Sequence, residues 1–176
     1  DHGGAILGCT GVESLCVLRN DPVALQIVRD IRAPRAIGAW LAGERAQGEG
    51  GFFAAAELEA LAALDRSGWA EDEAVAQRLR PLLLHACAHY LVREKQRRRP
   101  RDPVARFHLG NGASLERIDW LGDVSEKGLR ESAGMLVNYR YDPGTIEKNH
   151  EAYTHTGEVA HAAAGKGLLG DERPER

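Results

Sequence analysis

Apolar positions recur three and four apart through the earlier part of this chain and alternate more closely later, so the two stretches predict different elements. Residues 5–18 are apolar and Gly-rich and fit either a strand or a poor helix. Asp21-Pro22 predicts a helix start, because an Asp side chain caps free amides and Pro is tolerated in the first turn. That helix is expected to run to about Ile31 and to stop before Pro34. AIGAWLAGERA (36–46) predicts a short helix and GEGG (48–51) a flexible loop. AAAELEALAALDR (54–66) places Leu58, Leu61 and Leu64 on one helical face and should end near Gly68. Residues 71–96 carry the longest helical pattern, striped by Leu82, Leu83, Ala86, Tyr90 and Leu91, with Pro81 either kinking it or starting a new helix.

The run REKQRRRPRD (93–102) reads as a charged exit loop. Beyond it, FHLGNGASLERIDWLGDVS (107–125) combines a His, an Asn-Gly turn signal and a partial alternation of Leu115, Arg117 and Asp119 against Glu116, Ile118 and Trp120. His108 is therefore expected on a short extended piece leading into a tight turn, at the edge of a pocket. A short helix near 126–133, a strand MLVNYRY (135–141) and a final helix of about twenty residues from Thr145 complete the pattern. Helices and strands in this order predict an α/β (α+β) domain with a mixed sheet, and no internal repeat is visible.

Length and charge narrow the function classes. At 176 residues the chain suffices for one domain, and a net charge of −3 with a pI near 6.2 gives no bulk electrostatic argument for a nucleic-acid partner. Cys9, Cys16 and Cys87 form neither a paired framework nor a CxxC, which fits a reducing compartment. There is no apolar run long enough for a membrane span and no signal-like opening, so a cytoplasmic protein without a membrane partner is expected. His85 and His89 share a helix face at zinc-compatible spacing, but no third ligand is evident and no metal is expected. The histidines at 150, 155 and 161 are too unevenly spaced for one face. Arg97, Arg98, Arg99 and Arg101 read as a solvated charge run, with the weaker alternative that they hold phosphates.

Several motifs in order carry a family resemblance: RPLLLHACAHYLVREKQ (80–96), DPVARFH (102–108) continuing through 125, GMLVNYRY (134–141) and IEKNHEAYTHTGEVA (146–160). Together they resemble the C-terminal catalytic region of malonyl-CoA decarboxylase, over roughly residues 36–169. The resemblance implies an acetyltransferase-like fold, incomplete on its N-terminal side because a helical domain and opening strands precede this region in the family. With Asp1 opening the chain and Met135 its sole Met, a fragment or partial gene product is expected. Residues 1–35 read as a divergent or frame-shifted segment and 170–176 as a charged tail, whose DERPER lacks the Ser-Lys-Leu address of animal members.

The resemblance also implies an activity, the conversion of malonyl-CoA to acetyl-CoA and carbon dioxide without a metal or organic cofactor. Malonyl-CoA and acetyl-CoA would be its partners, and the full-length enzyme is expected to be a homo-oligomer. His108 matches the catalytic His of the family's FHxxNG motif and Tyr141 the site tyrosine of NYRY. Asn111 and Gly112 make the turn and are weaker candidates for substrate binding; Asn138 and Arg140 are weaker still. The family's catalytic serine precedes a Trp-Leu helix, and counting back from Trp40 its place is taken by Arg32, which could bind a substrate carboxylate but supplies no hydroxyl. Glu13, in GCTGVESLC (8–16), is a candidate match to an active-site Glu. The family's Gly-rich coenzyme-binding turn is not reproduced. An inactive acyl-CoA-binding relative or fragment is therefore the alternative reading, and an acetyltransferase of related fold a weaker third.

Overall fold

The computed structural model describes residues 28–162. Strand β1 (Val28–Arg32) joins a three-stranded sheet, where a helix was expected to run to Ile31; the Asp21-Pro22 start of that helix and the apolar segment 5–18 lie outside the described residues. The remaining strands of this sheet are β4 (Ser114–Asp119) and β5 (Leu136–Tyr141), in the order β1-β5-β4 with both pairings antiparallel. Local pattern could not reveal β1, because its backbone partners come from β5, more than a hundred residues along the chain: Asp30 lies opposite Tyr139 and Arg32 opposite Val137. Strand period then sorts the side chains, so Val137, Tyr139 and Tyr141 turn to the buried face of the central strand.

The partial alternation of β4 has a structural cause. The register against β5 shifts between Leu115 and Arg117, leaving Glu116 as an extra residue. Such a bulge resets which face follows, so Leu115 and Ile118 are both buried although they lie three apart. Residues 160–162 run beside β4 through a parallel bridge between Leu115 and His161, which adds the parallel component to an otherwise antiparallel sheet and agrees with the mixed α/β class.

Helices α1 (Ile37–Gln47), α2 (Ala55–Leu61) and α3 (Glu73–Val92) follow the apolar stripes, and GEGG and the residues after α2 form short 3-10 turns. The long helix runs unbroken through Pro81, begun by Asp72, whose carboxylate accepts the Val75 amide. It buries Leu79, Leu83, Ala86, Cys87, Tyr90 and Leu91 against α1, α2 and the sheet. The charged exit loop is a small hairpin, β2 (Lys95–Gln96) and β3 (Arg99–Pro100), turned by Arg97 and Arg98 at positive φ.

Two expectations are corrected, one where His108 is placed and one at the last helix. The segment preceding the Asn-Gly turn is helical, α4 (Pro103–Gly110), because Asp102 accepts the Ala105 amide at 2.8 Å and Pro103 occupies the first turn. His108 therefore sits in the last turn of a helix rather than on an extended piece. The helix near 126–133 is α5 (Glu126–Ser132). The final helix, α6 (Ile146–Thr156), has 11 residues rather than about twenty, since Gly157 ends it at φ 72. Among the described residues no helix is long and apolar enough to cross a membrane.

The turn after α4 needs glycine for two reasons at once. Gly112 has φ 82, and a Cβ there would meet the Ile146 carbonyl oxygen at 2.4 Å. Gly112→Ala is therefore expected to cost about 2 kcal/mol or more, combining left-handed strain with displacement of α6, as a lowered urea midpoint would show.

Candidate active site

The last turn of α4 lies over the buried face of β5, and this juxtaposition encloses His108, which is 4% exposed. Its imidazole stacks on the Tyr139 ring with centroids 4.3 Å apart and planes 14° from parallel. The Tyr141 hydroxyl is 2.7 Å from Nδ1. On the other side of the ring, Nε2 faces the Asp30 carboxylate at 3.8 Å, and that carboxylate's second oxygen holds the Arg32 guanidinium at 3.1 Å. Each partner is placed by strand geometry. Tyr139 and Tyr141 share a face because they are two residues apart on β5, and Asp30 lies directly opposite Tyr139 in β1.

Burial lowers the pKa of His108, against the opposing pull of the Asp30 carboxylate and with a small further push from Arg32. The same burial, with Asp30 nearby, raises the Tyr141 phenol to about 12, so it is protonated at neutral pH. A protonated phenol donates to Nδ1, which leaves the neutral ring's own hydrogen on Nε2, toward Asp30. Tyr139 is raised further, first by burial and then by Asp102, and acts as a neutral stacking surface.

One edge of this arrangement opens into a cavity of about 570 Å³ between β1, α4 and α5, a volume suited to part of a small organic substrate. Its lining includes His108, Arg32, Arg35, Phe107, Lys127 and Ser132. The charges on the walls are mixed, since Asp123 and Glu131 also line it. Phe107 stands 53% exposed at the cavity wall, an apolar surface beside a cationic one. The Ser132 hydroxyl, although on the lining, donates back to the Gly128 carbonyl of its own helix at 2.9 Å.

The residues singled out from sequence divide sharply. His108, Tyr141 and Arg32 come together. Asn111 instead caps α4, its side-chain amide donating to the Phe107 carbonyl at 2.9 Å, and Gly112 makes the turn; neither lines the cavity. Glu13 lies outside the described residues. Asn138 and Arg140 turn to the opposite face of β5, bonded to Asp119 and Asp142. His85 and His89 pack against Phe52, and among the described residues no group of three His, Cys, Asp or Glu could hold a metal. Asp30 and Tyr139 were missed. The alternation of NYRY was the available signal for Tyr139, whereas nothing local marked Asp30 once its segment was read as helix.

The chain is similar to known proteins over most of its length. The profile of the malonyl-CoA decarboxylase C-terminal domain matches residues 25–176. The mitochondrial malonyl-CoA decarboxylase of Anser anser anser is 44% identical over 96 residues, covering 54% of this chain and 19% of the relative. That of Rattus norvegicus is 51% identical over 84 residues, covering 47% and 17%. Among solved structures, malonyl-CoA decarboxylase from Rhodopseudomonas palustris superimposes with TM-score 0.79 at 41% identity, over 83% of this chain and 34% of that one. The Agrobacterium vitis enzyme gives TM-score 0.79 at 39% identity, over 85% and 37%. The chain thus spans under a fifth of the curated relatives and about a third of the solved ones.

The direction of the His108 shift sets a pH dependence of stability. A histidine whose folded pKa is depressed binds fewer protons in the folded state, so its contribution is complete above the unfolded value, about 6.5, and is lost as pH falls through the folded one. Urea unfolding between pH 8 and pH 5 should show declining stability over that window, with a smaller decline in His108→Gln. In Tyr141→Phe, loss of the buried hydroxyl should cost about 1–2 kcal/mol at pH 8.

Proposed function

Because the chain belongs to the malonyl-CoA decarboxylase family, we propose that it carries part of the catalytic domain of an enzyme converting malonyl-CoA to acetyl-CoA and carbon dioxide. The catalytic region would be built on residues 36–169, with Arg32 supplied by β1 at the end of the otherwise divergent segment 1–35 and a charged tail 170–176 following, in a cytoplasmic protein whose full-length form is a homo-oligomer. The observation that carries this reading is a buried imidazole, oriented by a tyrosine hydroxyl at 2.7 Å and lining a cavity shared with an arginine.

Decarboxylation breaks the bond between C2 of the malonyl group and its carboxylate; carbon dioxide leaves, and the electron pair remains on C2 and the thioester oxygen as an enolate. A donor aimed at that oxygen lowers the barrier. In this chain Arg32, standing where the family's serine is expected, has the charge and reach for that task or for the departing carboxylate. Transfer of a proton from His108 to C2 then completes the acetyl thioester, and the ring recovers its proton from water. Tyr141 orients the ring throughout by its bond to Nδ1. No step requires a metal or an organic cofactor.

The exchange of serine for Arg32 also supports the second reading, a relative that binds acyl-CoA without turnover. Release of acetyl-CoA from malonyl-CoA by the purified protein separates the two. The expected result is turnover that falls by about 10²–10⁴ in His108→Ala. The rate should also rise as pH falls from 8 toward 6, because the proton-loaded ring is the reactive form and its pKa is depressed by burial. Coenzyme A binding, measured by calorimetry, without any turnover would establish the non-catalytic reading instead.

A further inference from the structure

Asp30 belongs to no motif in the sequence, and the function described above does not use it. It nevertheless divides its carboxylate between the two cavity-lining groups on which that function rests. One oxygen holds Arg32 at 3.1 Å and the other faces His108 Nε2 at 3.8 Å, with the Asp30 side chain only 15% exposed. Register puts it there, since Asp30 is the β1 residue directly opposite Tyr139, the ring on which His108 stacks.

We propose that Asp30 is a positioning residue for His108, its carboxylate selecting the ring orientation with Nδ1 toward Tyr141 and supporting the proton-bearing form, while Arg32 holds the carboxylate in place. The inference deepens the decarboxylase reading and rests on His108 being the proton donor there. Its geometric basis is that the two ring nitrogens meet chemically different partners. Tyr141 reaches Nδ1 at hydrogen-bond distance, whereas Asp30 stands beyond that distance from Nε2. A carboxylate at that separation attracts the positive ring without tying up the Nε2 hydrogen, so the hydrogen stays transferable to a substrate carbon. A ring turned over would lose the Tyr141 hydrogen bond and place its Nδ1 toward a carboxylate already committed to Arg32.

Other charged and titratable groups also face this site. Arg32 on β1 opposes the charged ring, Tyr139 and Tyr141 on β5 are neutral, and the cavity walls also carry Arg35 and Lys127 with Asp123 and Glu131. Of these, Asp30 and Arg32 are the groups that bear on His108 electrostatically, with opposite signs. Substitutions at the two positions should therefore move the histidine in opposite directions.

The test is a ring-carbon and ring-nitrogen NMR titration of histidine-labelled full chain, with His108 assigned through His108→Gln. Asp30→Asn is expected to lower the His108 midpoint and weaken the single-tautomer nitrogen signature. Arg32→Gln should raise the midpoint, and Asp30→Glu should restore part of the wild-type value. In turnover, Asp30→Asn should lose activity at pH 7.5 and recover part of it at pH 6, with kcat changed more than KM. An unchanged midpoint and tautomer in Asp30→Asn, or an equal loss of activity at every pH, would overturn the proposal and leave Asp30 as a counter-ion to Arg32. Should Asp30→Asn fail to fold, an Arg32→Gln midpoint that stays put is the overturning result. If the midpoints move as expected while no variant turns over malonyl-CoA, the positioning role stands and the decarboxylase reading fails.

Discussion

Burying an imidazole sets the terms for the rest of this structure. A ring with one donor and one acceptor is costly to take out of water, and here 4% exposure is compatible with folding because two strands and a helix converge on it. Tyr141 satisfies one nitrogen, Asp30 faces the other, and Tyr139 covers the flat face. Those three groups come from β1 and β5, so the ring can be accommodated only after the antiparallel pairing of distant segments has formed.

Support for the ring extends outward through local devices. Asp102, itself fully buried, caps α4 at the end opposite His108 and so defines where the last turn of that helix falls. Gly112 lets the chain leave α4 within one residue and lets α6 approach, and Asn149 of α6 returns a bond to its carbonyl at 3.2 Å. The bulge in β4 keeps Leu115 and Ile118 in the core beside the same strand that carries both tyrosines. Helix position, turn and register together hold the imidazole to one place, which is what the proton transfer proposed for it would require.

The site's charge pattern is where this chain departs from what the family resemblance implies. A neutral hydroxyl is expected beside the histidine, and an arginine stands there with its own carboxylate partner. The pair is nearly neutral as a unit, so Arg32 adds a guanidinium to the cavity together with its own counter-charge, and Asp30 opposes what burial does to His108.

The apolar stripes of α1, α2 and α3, the strand at MLVNYRY and the mixed α/β class were legible in sequence, because these depend on local periodicity and on faces buried within each element. His108 and Tyr141 were legible as candidates because motifs around them survive in order, and Arg32 through its spacing from Trp40. Three features were not. The helical setting of His108 was masked by the Asn-Gly signal that follows it, although Asp102-Pro103 carried the same capping chemistry read at Asp21-Pro22. The length of α6 was overestimated because the terminating role of Gly157 was not read. Strand β1, and with it Asp30, was hidden because its hydrogen-bond partners lie on the far side of the chain's helices in sequence. Local chemistry, held within a few residues by hydrophobic period and capping groups, was thus determined by the sequence itself; the company that His108 keeps was decided only by tertiary structure, since strand pairing between segments over a hundred residues apart has no local signature.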